Sequence, residues 1–178
     1  MYRNRLAVLM VAGFLGASAN AKGPELPDSE AVNKLLSEAK TMAFQLKEDA
    51  VAMEAFNRMN VSWEAHAVAI GEIRDHVNVL GRQHGKLAEA RGFAAPWQKT
   101  AIDRILPFID ELGGYTSAVI EHLNDNPKRI FTAEYRDYLE ANADYATDLA
   151  AMIAQFVDYG KAKQRLVNLT DDLELPLQ

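Results

Sequence analysis

A chain of 178 residues without cysteine, in which 19 Lys and Arg meet 25 Asp and Glu for a formal charge of −6, narrows the available chemistry at once. Disulfides, thiolate metal sites, iron–sulfur clusters and covalently attached c-type haem cannot be built. An acidic surface of interspersed signs argues against nucleic acid and against anionic membrane as partners.

In chain order, the first feature is a leader. Tyr2-Arg3-Asn4-Arg5 is a short basic start, Leu6 to Ala17 is a nearly unbroken apolar run, and Ala19-Asn20-Ala21 has the small-x-small form of a cleavage site. This predicts a secretory signal peptide over residues 1–21, removed before Lys22. About twelve apolar residues are too few to cross a bilayer, which needs roughly twenty, and no cysteine follows to carry a lipid. The expectation is an exported chain, most often to a Gram-negative periplasm, without a stable membrane anchor after cleavage. Loss of Arg3 and Arg5 would make it two charges more negative.

A Pro/Gly linker follows at 22–28, and Asp28-Ser29 is the N-cap signal of a first helix running to about Arg58. Val32, Leu35, Ala39, Met42, Leu46, Ala50, Met53 and Phe56 form its apolar stripe. Ser62 caps a second helix with a heptad seam of Trp63, His66, Ile70, Ile73, Val77, Leu80, His84 and Leu87. Pro96 opens a third helix at the first-turn position, where its missing N–H costs nothing. Its stripe is Ile102, Leu106, Ile109, Leu112, Thr116, Val119 or Ile120, and Leu123, and Asn124-Asp125-Asn126-Pro127 ends it. Pro107 and Gly113-Gly114 should kink or weaken it, serving either a mid-bundle pocket or, the stronger reading, close backbone approach to a neighbour. Thr132 caps a fourth helix bearing Tyr135, Leu139, Asn142, Ala146, Leu149, Ile153 and Phe156; Gly160 marks an end or bend.

Four segments of about thirty residues, each roughly 45 Å long and joined by short breaks, predict an all-α protein. The expected fold is an antiparallel up-down-up-down four-helix bundle over 29–160, with an extended C-terminal helix at 161–178. In architecture alone this is similar to four-helix cytochromes and bacterial periplasmic sensor domains.

The histidines are the candidate chemistry. His66 and His84 lie on one face but about 27 Å apart, so they cannot share an ion. Counting from the turns puts His66 level with His122, Met53 or Glu54, and Tyr135 or Tyr138, while His84 falls near Ile102. A metal ion, haem or small apolar ligand near His66 and His122, with Met53 and Glu54 as further donors, is therefore the alternative reading. Against it, neither Glu64-Ala65-His66 nor Glu121-His122 has di-iron spacing, and no zinc-type His-x-x-x-His appears. The stronger account of His66 and His84 is a neutral core imidazole bonded to a tyrosine or a backbone carbonyl, and His66→Leu is expected to be tolerated. No cofactor and no metal site is assigned. Met42, Met53, Met59 and Met152 are dispersed and read as core filler.

No phosphate loop or nucleophile elbow is present either, so the chain reads as a non-enzymatic binding, sensor-like or scaffold module for a partner protein. The C-terminal GKAKQRLVNLTDDLEL keeps an apolar stripe at Leu166, Leu169 and Leu173, past the length the other helices can cover. It either folds back after Gly160 or overhangs and docks on a partner protein or in a homodimer.

Overall fold

A computed structural model describes residues 26–59, 61–127 and 131–174; the expected leader and most of the linker lie outside these. It has four helices, α1 (Glu30–Glu54), α2 (Trp63–Ala90), α3 (Pro96–Asp125) and α4 (Ala133–Asp172), with single 3-10 turns at Ala55–Arg58 and Arg91–Phe93. No strand occurs among the described residues.

Local chemistry sets the helix starts. Ser29, Ser62 and Thr132 each accept a hydrogen bond from the backbone N–H three residues on, at 3.4, 3.3 and 3.1 Å, satisfying donors that the first turn leaves without partners. The start of α3 is different, because Ala95 has no side-chain acceptor. Gln98 supplies one from inside the helix: its Oε1 accepts from Ala95 N–H at 2.8 Å. The same oxygen accepts from Ser29 N–H at 3.0 Å, and Nε2 donates to the Ser29 carbonyl and to Asn33 Oδ1 at 2.9 and 2.8 Å. A buried glutamine thus fastens the start of α3 to the start of α1.

The helices form an antiparallel up-down-up-down bundle in which α1 packs chiefly on α2 and α4, and α3 on the same two. Each contributes a heptad seam to one core. The seam of α1 is Val32, Leu36, Ala39, Ala43, Leu46, Ala50 and Met53; the expected Leu35 and Met42 sit beside it, half-buried. Alanines occupy the middle because they let helices approach closely, so at Met42–Ala43 the smaller residue takes the central position. On α3, Ile105 is buried and the expected Leu106, of the same size, faces out.

Two expectations about glycine are corrected. α3 runs unbroken through Pro107, which lies on its exposed face, and Gly113 and Gly114 have open space where a Cβ would stand, so no neighbouring backbone requires them. Conversely, Gly160 neither ends nor visibly interrupts α4. It is buried, and a Cβ there would lie 2.8 Å from Trp97 Cη2. The close approach expected in α3 is found in α4.

Candidate functional site

Two places carry features beyond packing, one at each end of the bundle. At the first, α2, α3 and α4 bring His66, His122 and Tyr135 together. His66 and Tyr135 have no exposed surface, and the His66 Nδ1 lies 2.7 Å from the Tyr135 hydroxyl. Burial lowers the His66 pKa below the ordinary 6.5 and raises that of the Tyr135 phenol, so both are neutral near pH 7. The phenol O–H has no other acceptor among the described residues, and donates to Nδ1. The imidazole proton then sits on Nε2, which is buried and without a hydrogen-bond partner among those residues. Phe56 and Phe131 meet the ring edge-on at centroid distances of 5.1 and 5.7 Å.

His122, expected at the flank of its stripe, is buried with its ring 5.0 Å from that of Tyr135, and its Nε2 is 3.4 Å from Thr132 Oγ1. It also borders an open cleft of about 300 Å³ with Glu121, Asp125, Glu134 and Tyr138. Met53 is buried in the α1 seam, and the Glu54 carboxylate accepts from Arg58 at 3.1 Å. Among the described residues no three His, Cys, Asp or Glu side chains are grouped closely enough to hold a metal ion. His84, at the other end, places Nε2 3.2 Å from the Ile102 carbonyl. His66 therefore has the tyrosine partner that a core imidazole needs, whereas the expected seam position of His84 is corrected: it has a carbonyl partner but is half-buried, and Gln83 takes the buried position between Leu80 and Leu87.

The Tyr135 bond changes what a substitution at His66 does. Removing one partner of a buried pair leaves the other unsatisfied, at about 1–3 kcal/mol, whereas removing both is nearly neutral. Tyr135→Phe is expected to destabilise by about that amount, and His66→Leu by less, since it also deletes the unpartnered Nε2. The double variant His66→Leu/Tyr135→Phe should lose less than the two singles together; strictly additive urea-unfolding energies would contradict the pairing. The pH dependence has a definite sign. Because the folded pKa is depressed, the unfolded chain takes up the proton first, so this contribution is intact above about pH 6.5 and is lost as pH falls through the folded value. Variants carrying His66→Leu should lack that component.

The second place is the far end of α4. Asp28 accepts there from Trp97 Nε1 at 2.9 Å and pairs with the Lys163 ammonium at 2.6 Å, while Trp97 meets Tyr159 edge-on. These contacts close the bundle. α4 nevertheless continues to Asp172, so residues after Lys163 project about 15 Å as a single helix. The tail therefore overhangs and does not fold back. Ala162, Leu166, Leu169 and Leu173 recur at steps of four, three and four, and the three leucines are 65%, 46% and 63% exposed.

This stripe does not continue the bundle seam. Heptad steps from Ile153 through Phe156 and Gly160 lead to Lys163, Val167 and Thr170, so the leucines sit one residue earlier, about 100° around the helix. They face away from the core that the rest of α4 serves. At the same end Phe93, on the turn before α3, is 79% exposed.

No protein-family model matches the chain, and no curated protein or solved structure matches it either. Among the described residues no helix is long and apolar enough to cross a membrane.

Proposed function

We propose that this is an exported, non-enzymatic helical-bundle protein that binds a partner protein through the projecting end of α4, as a scaffold or sensor-like module. One observation carries the reading: a heptad seam of Leu166, Leu169 and Leu173 stands outside the bundle and out of register with its core. A lone helix of this length is marginal in water, and an apolar seam on it gains stability only when another surface covers it. Export is supported by the basic, apolar and small-x-small order of the first residues. The test is site-specific photo-cross-linking from position 169 in cells expressing the whole gene, where the reading expects a discrete protein adduct.

The alternative, a metal ion, haem or small apolar ligand held near His66 and His122, draws on the unpartnered Nε2 of His66. The absorption spectrum and metal content of the protein as purified decide it.

A further inference from the structure

We infer that the surface covering the overhang is the same segment of a second copy of this chain, laid antiparallel in one defined register. This rests on the reading of the α4 end as a docking surface, and adds the identity and orientation of the partner.

The register follows from the seam. If Leu166 of one copy meets Leu169 of the other, the two-fold relation places Leu169 against Leu166 and Ala162 against Leu173, so every position of the stripe meets another. The two central layers are leucine on leucine, and the two outer ones leucine on alanine. The tip of each helix then reaches the bundle end of the other copy, where Phe93 is exposed.

The charges select the same register without having been used to find it. Arg165 and Asp172 each immediately precede a seam leucine, on the same flank of the helix. In an antiparallel pair, like flanks face each other, so Arg165 of each copy meets Asp172 of the other, twice by symmetry. Both side chains are exposed, and neither makes an ion pair within its own chain among the described residues. Lys163, by contrast, is already held by Asp28. A parallel pairing would set the basic half, Lys161 to Arg165, against its own copy, and Asp171 to Glu174 likewise. Opposed charge supplies orientation as well as attraction.

Two heptads make a small interface, so the dimer forms and dissociates with concentration. The test is light scattering on the full chain over a dilution series up to its solubility limit. The mass is expected to rise toward twice that of one chain. Arg165→Asp or Asp172→Arg alone should move the midpoint about tenfold higher in concentration, and the double reversal Arg165→Asp/Asp172→Arg should restore it. These positions lie outside the bundle, so helix content and melting temperature of the monomer should not change. A wild-type chain that stays monomeric throughout overturns the inference, as does a dimer indifferent to the reversals. A monomer whose position 169 cross-links to a different protein keeps the docking reading and removes only the second copy; a monomer with no adduct removes both.

Discussion

Replacing Gln98 by leucine will lower the unfolding free energy by about 3 kcal/mol, although the two side chains are close in size and the site is fully buried. Gln98 uses both amide atoms twice. Its oxygen accepts from Ala95 N–H and Ser29 N–H, and its nitrogen donates to the Ser29 carbonyl and Asn33 Oδ1. Leucine would strand all of these, and an unmade bond costs about 1–3 kcal/mol for each group that water cannot reach. Ser29 and Asn33 are half-buried, so part of that cost is recovered by hydration and the total stays below the simple sum. Gln98→Glu keeps the two acceptor bonds but turns a second oxygen toward the Ser29 carbonyl and Asn33 Oδ1 and buries a charge, so it should cost at least as much as leucine. Urea unfolding measures all three proteins; a loss under about 1 kcal/mol for the leucine variant would show that the α1–α3 junction is not held by this side chain.

Glycine-to-alanine changes in α3 and α4 should have opposite signs. At Gly113 and Gly114 nothing lies within 4 Å of a new Cβ, so each alanine gains about 1 kcal/mol in helix propensity, and about 2 kcal/mol together. At Gly160 the same gain meets a contact of 2.8 Å with Trp97, where overpacking costs about 1–3 kcal/mol. Trp97 cannot easily yield, since its Nε1 is bonded to Asp28 and its ring packs on Tyr159. Gly160→Ala should therefore be neutral to destabilising, and larger residues progressively worse. Thermal melts of the single variants check this directly; a stabilised Gly160→Ala would mean that the Trp97 contact is soft.

Much of the bundle was legible because its signals are local. Ser29, Ser62, Pro96 and Thr132 announce their helices through first-turn chemistry, and heptad spacing needs only the neighbours along one helix. Turn positions even set His66 level with Tyr135 and His84 level with Ile102. What stayed hidden depends on another helix. Nothing within α1 says that Ala43 lies deeper than Met42, because an amphipathic stripe is wide enough to admit both. His122 reads as a flank residue until Tyr135 is brought beside it. Gly160 resembles a helix end until Trp97 approaches from α3. Gln98 did carry a sequence signal, a glutamine at the third position after an uncapped Ala95-Pro96 start, but its second role on Ser29 and Asn33 is wholly tertiary.

The same division bears on function. A seam that leaves register with its own bundle is written in the spacing of Leu166, Leu169 and Leu173, whereas the polar layer of His66, Tyr135 and His122 takes shape only in three dimensions. Of the two, the seam is the one left uncovered, since three leucines stand in water. The most direct measurement is the photo-cross-link. A photo-reactive side chain at Leu169, and for comparison one at the exposed Arg136 on the bundle part of α4, are activated in cells producing the full chain. The account predicts a discrete protein adduct from position 169, lost when Leu166 is changed to Glu, and none from position 136. Equal labelling from both positions, or no adduct from position 169, would contradict it.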